Sequence, residues 1–115
     1  MPDRLGDKIR LQHILDAIEQ IEIYTDGIDF EHFASNQMMF DATLRQLEVI
    51  GEASNRLSDE LIQSNNDVYW ARIVGLRNLV IHEYFGIDDL TIWNVLKLNL
   101  PEFKEKIQLI IKYLD

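Results

Sequence analysis

Apolar residues recur every three or four positions along nearly the whole chain, and the alternating pattern of a half-buried strand is absent. Leu11, Ile14, Ile18 and Ile21 fall on one face of a helix predicted from about Asp3 to Tyr24. Thr25-Asp26-Gly27 ends it, with Gly27 suited to a C-terminal cap. Asp29 is placed to cap a short turn through Phe30 and Phe33. Ser35 or Asn36 opens a second long helix carrying Phe40, Leu44, Leu47, Ile50 and Leu57. Ser58, with Asp59 and Glu60 in the following turn, predicts a short helix to about Gln63. The run Ser64-Asn65-Asn66-Asp67 reads as a loop and then a cap for a helix from about Val68. Gly86 and Asp88-Asp89 separate that helix from one beginning near Leu90. Pro101 marks a break or a restart at a first helical position. The last segment, to Leu114, turns Phe103, Ile107, Ile110 and Ile111 inward. The expectation is one all-α domain over residues 1–115, an up-down bundle of four to five helices.

One segment breaks the pattern chemically. Arg77-Asn78-Leu79-Val80-Ile81-His82-Glu83-Tyr84 sets an Arg, an Asn, a His and a Tyr into an otherwise apolar helix. The protein carries 20 acids against 11 bases, yet no acid occurs between Asp67 and Glu83. Trp70, Ile73, Val74, Ile81 and Phe85 define an apolar arc, and at about 100° per residue Arg77 lies near its middle. Asn78 and His82, four apart, share another face with Gly75. An Arg in such a stripe is a core ion pair, an interface residue or a phosphate ligand. Glu52 reads first as the surface partner of Arg56 one turn on; the alternative is a brace for Arg77 across the bundle. Arg72 either widens a phosphate-binding patch or forms a surface ion pair. Gly75 permits close approach, either of neighbouring helices or of a partner backbone or RNA.

Arg77, four intervening residues, His82, one residue and Tyr84 reproduce a spacing that resembles the R-x4-H-x-Y signature of HepT-like proteins, small all-helical ribonucleases of the HEPN superfamily. The segment Leu47-Glu48-Val49-Ile50-Gly51-Glu52-Ala53 is similar to the second-helix pattern of that family, and the Ile92-Trp93 and Leu100-Pro101 pairs follow in its order. The resemblance covers nearly all of the chain. It implies a HEPN-like homodimeric bundle with a ribonuclease cleft at the subunit interface, in which Arg77 and His82 are catalytic and a polar residue such as Asn78 follows the Arg; Glu52 and Arg72, on the readings above, are the candidate supporting residues. It also implies a toxin of a toxin–antitoxin module acting on transfer or messenger RNA. Tyr84 would be the residue that a cognate minimal, MNT-type nucleotidyltransferase antitoxin modifies with AMP.

The chemistry suits these residue types. Metal-free RNA cleavage needs a base for the 2′-hydroxyl proton, an acid for the leaving 5′-oxygen and a cation for the phosphorane charge. Histidine titrates near neutrality, and arginine presents a permanent, two-pronged set of donors to phosphate. Positions five apart differ by roughly 140°, so Arg77 and His82 of one chain diverge, and a twofold pairing of two such helices would supply a complete set. The competing reading is a noncatalytic HEPN module that binds nucleotide or docks a nucleotidyltransferase; a plain helical interaction protein is a third.

Composition narrows the field further. With 47% hydrophobic residues the chain is expected to fold as a single domain. It has no apolar run of membrane-spanning length, and the charged N-terminal residues lack the apolar stretch of a signal peptide. No cysteine is present, which removes thiolate catalysis and fits a cytoplasmic setting. A formal charge of -9 argues against a nonspecific nucleic-acid coat while allowing a compact basic pocket. His13 and His32 are isolated and no metal-ligand spacing occurs, so no metal or cofactor is expected. Trp70 and Trp93 are expected to be core residues rather than base-stacking platforms.

Overall fold

The computed structural model describes residues 4–82 and 88–114; for Leu79, Ile81 and His82 it describes the backbone alone. Among these residues all regular structure is helical. The long helices are α1 (Arg4–Tyr24), α3 (Gln37–Asn55), α5 (Trp70–His82) and α7 (Leu100–Tyr113). Short helices α2 (Phe30–Ser35), α4 (Asp59–Ser64) and α6 (Asp89–Asn94) link them, and a π-helical turn, Val95–Asn99, carries α6 into α7. Pro101 sits in the first turn of α7, where its missing N–H costs nothing.

The predicted punctuation acts through identifiable atoms. Gly27 adopts φ +71 after α1, a left-handed conformation that a side chain would strain. The Asp29 carboxylate accepts from His32 N at 2.9 Å. That hydrogen bond, together with one from the His32 ring, holds its pKa below the ordinary value. Asn36, rather than Ser35, opens α3, its side chain accepting from Met39 N at 3.0 Å. Ser58 caps α4 by accepting from Leu61 N at 3.2 Å. Asp67 does not cap the motif helix, which starts at Trp70; its carboxylate lies 3.5 Å from Lys106 Nζ, tying the loop to α7.

The core runs between α1, α3, α5 and α7. It contains Leu11, Ile14, Ile18, Ile21, Leu44, Leu47, Ile50, Leu76, Val80, Phe103 and Ile107, all buried. Phe33 of α2 and Ile92 of α6 plug one end, where Trp93 stacks against Phe30 and Phe33. Trp70 is buried edge-on to Phe103, while half-buried Trp93 lies under the Lys97 ammonium. Helix α3 is central, packing extensively against both α1 and α5.

Asp7 was read from sequence only as one of several charges near the N-terminus. It is buried, and its two carboxylate oxygens accept from Ser58 N (2.9 Å) and Ser58 Oγ (2.6 Å). The start of α1 therefore clamps the start of α4 across 51 residues of sequence. Such charge-assisted bonds at a helix N-terminus satisfy donors that the helix itself leaves open.

Candidate functional site

Of the apolar arc predicted on α5, Trp70 is buried and Ile73 and Val74 are half-buried. Among the described side chains of α5, Leu76 and Val80 are buried as well. Arg77 lies on this same side of the helix, between Val80 and Trp70, with its side chain 35% exposed. Its stem packs against α3 while its charged end reaches water. Phe85 and Tyr84, the far end of the predicted arc and the predicted modification site, lie outside the described residues. His82 is the last residue of α5, and its side chain also lies outside the description.

Two residues of α3 set the position of Arg77. At Gly51, an added Cβ would lie 2.7 Å from both the Cβ and the backbone N of Arg77. Only glycine lets α3 and α5 approach this closely. One turn of α3 is thus shaped to receive Arg77, a role for Gly51 that the sequence reading missed; a glycine flanked by good helix formers in mid-helix was its only signal. One position on, Glu52 Oε2 lies 2.8 Å from Arg77 Nε, while Glu52 Oε1 accepts from Arg56 Nε at 3.1 Å. Both readings of Glu52 hold at once, because its two oxygens serve two arginines. The Arg77 and Glu52 side chains remain 35% and 39% exposed, so the pair is fixed without being sealed from a ligand.

Arg77 opens onto a groove of about 690 Å³, a volume suited to a nucleotide-sized ligand. Its walls are Ile9, Arg10 and His13 of α1, and Arg45, Glu48 and Glu52 of α3, with Arg56 at the C-terminal end of α3. Arg45 pairs with Glu48 along the wall. Arg72, in contrast, lines a separate depression and rests over the Tyr69 ring, its Cζ 5.1 Å from the centroid. Within one chain it is not brought together with Arg77. Asn78 is exposed on α5, and a Cβ at Gly75 would meet nothing within 4 Å. Among the described residues, the tight helix contact is therefore at Gly51, and the Gly75–Asn78 side of α5 is open. Among the described residues, no group of three side chains is gathered to hold a metal ion.

Replacing Gly51 by Ala is expected to force α5 away from α3, because the atoms it would strike include backbone. Overpacking of this kind costs about 1–3 kcal/mol. Thermal unfolding should show a melting point lowered by several degrees, about 4–8 °C per kcal/mol for a domain near this size. An unchanged melting point would show that the helices accommodate the methyl group without shifting.

Comparison with known proteins agrees with this architecture. Residues 14–110 match the family model described as "Ribonuclease HepT-like". A protein of Methanocaldococcus jannaschii named "Putative RNase" is 36% identical, over 90% of this chain and 94% of its own length. A second of that name and organism is 36% identical over all of this chain and 98% of its own. The "Probable ribonuclease HepT" of Thermococcus cleftensis is 35% identical, covering 85% of this chain and 89% of that protein. No solved structure gives a significant match. With the all-helical bundle, the Arg77-bearing groove and these matches together, the chain belongs to the HepT-like ribonuclease family.

Proposed function

We propose that the protein is a metal-independent endoribonuclease, the toxin of a toxin–antitoxin pair. The observation that carries this reading is the placement of Arg77. Gly51 and Glu52 hold a permanent cation at the rim of an open groove, at the head of the R-x4-H-x-Y segment. In the reaction, the 2′-hydroxyl loses its proton and attacks the adjacent phosphorus. The phosphorane carries extra negative charge, which the Arg77 guanidinium offsets, and the 5′-oxygen leaves with a proton. His82 exchanges protons in these steps. The products are a 2′,3′-cyclic phosphate and a free 5′-hydroxyl. Stabilising charge that exists only in the transition state is often the largest single contribution to such a rate.

Positions five apart on a straight helix, as Arg77 and His82 are in sequence, differ by about 140°. A twofold homodimer that faces two α5 helices would set the Arg77 of one protomer against the His82 of its partner. The open Gly75–Asn78 side of α5 supports that arrangement, since a second backbone or an RNA strand meets no side chain at Gly75. Tyr84, two residues beyond His82, would be the AMP acceptor through which a minimal nucleotidyltransferase silences the toxin.

The direct test is to incubate purified protein, free of antitoxin and of AMP, with total RNA in EDTA. Fragments ending in cyclic phosphate are expected. Loss of cleavage on chelation, or fragments carrying 5′-phosphate, would exclude this chemistry.

A further inference from the structure

We infer that the groove between α1 and α3 is the track for the single-stranded RNA backbone leading to Arg77, read through its phosphates by Arg10, Arg45 and Arg56. This rests on the ribonuclease reading above and identifies where the substrate lies beyond the reacting bond. Four of the six arginines in the chain line this one groove, against two glutamates, in a protein whose formal charge is -9. Such a concentration of one sign within an acidic molecule focuses an anionic ligand.

The geometry is that of a track rather than a point. Arg45, Glu52 and Arg56 sit at intervals of seven and four, which keeps them within about 20° of one line along α3. From Arg45 to Arg56 this line runs about 16 Å at 1.5 Å per residue. At about 3.4 Å per stacked nucleotide, it accommodates roughly five phosphates. On the opposite wall, Ile9, Arg10 and His13 follow helical spacing along α1, and Ile9 is 48% exposed, an apolar surface on which a base can rest. Glu48 and Glu52 hold Arg45 and Arg56 against the wall while leaving them exposed, with side chains 68% and 64% accessible. Arginines already ordered by a carboxylate lose less freedom when a phosphate arrives.

The test uses the full chain and a short single-stranded RNA methylated at every 2′-oxygen, which cannot be cut because its nucleophile is blocked. Its affinity is measured between about 50 and 200 mM salt for the wild type and three double variants. Arg10→Gln/Arg45→Gln should reduce the slope of log affinity on log salt by about 1.4, or about 0.7 per lost phosphate contact on a single strand. The loss should be equal for RNAs of different sequence. Arg10→Lys/Arg45→Lys, which keeps both charges, should retain the slope. Lys97→Gln/Lys112→Gln removes the same charge from outside the groove and should also retain it. Melting curves establish that each variant is folded.

The inference is overturned by an unchanged slope in the glutamine variant, or by an equal loss in the Lys97/Lys112 control. It is also overturned if the glutamine variant changes its oligomeric state in sedimentation, since the groove would then be a contact between copies of the chain. A wild type that cuts ordinary RNA but does not bind the methylated strand removes the track and leaves the ribonuclease reading standing. A wild type that binds with the expected slope but cuts nothing does the reverse.

Discussion

Alanine at Arg77 or at His82 is expected to lower RNA cleavage by about 10²–10⁴-fold, the usual consequence of losing one charge-stabilising or proton-transferring group. Toxicity on expression should vanish with it, and the fold should persist. The guanidinium is half-exposed at the rim of the core, so its removal empties no buried cavity. The composite site proposed above adds a sharper expectation. When Arg77→Ala and His82→Ala chains are mixed and allowed to exchange, each mixed dimer contains one site that has lost both groups and one that has lost neither. Activity should therefore return in the mixture, although neither variant cuts alone. If mixing restored nothing while exchange was demonstrated by mass, each chain would be building its own site. Wild-type cleavage by either single variant would remove that residue from the mechanism.

Phenylalanine at Tyr84 should separate toxicity from its control. Only the hydroxyl is lost, so cleavage, which is assigned to Arg77 and His82, should largely survive. With the cognate nucleotidyltransferase and ATP, the wild-type chain should gain the mass of AMP as its tyrosine oxygen attacks the α-phosphorus and pyrophosphate leaves. A nucleotide added to the R-x4-H-x-Y segment brings negative charge and bulk, and both oppose RNA binding. The Phe variant should gain no AMP and remain toxic when both genes are expressed. The competing acceptors are identifiable: Tyr69 and Tyr113 are 71% and 73% exposed, whereas the Tyr24 hydroxyl accepts from Gln46 Nε2 at 3.3 Å. AMP found on Tyr69 or Tyr113 would refute the assignment and leave the nuclease intact. A Phe variant unable to cut RNA would instead place Tyr84 in the reaction.

Each helix was legible in the chain because its signals are local. Leu11, Ile14, Ile18 and Ile21 repeat with the helical period, and Asp29, Asn36 and Ser58 bond to backbone donors three residues away. The R-x4-H-x-Y spacing is local too, and with Gly51-Glu52-Ala53 it was enough to identify the family. Tertiary structure decided what depends on residues remote in sequence. The Asp7–Ser58 clamp joins groups 51 positions apart, and no periodicity encodes it. The apolar arc left Arg77 open as a core ion pair, an interface residue or a phosphate ligand; only the contact with α3 showed Gly51 admitting its backbone and Glu52 holding its guanidinium half-exposed. Glu52 had two readings from sequence because its partners lie on two helices, and only the folded chain showed its oxygens divided between Arg56 and Arg77. The groove is the clearest case. Arg10, Arg45, Arg56 and Arg77 are scattered through 68 residues of an acidic chain, and no local charge run announces them. They face one another because α1 and α5 pack on the same central helix, and that proximity is a property of the bundle.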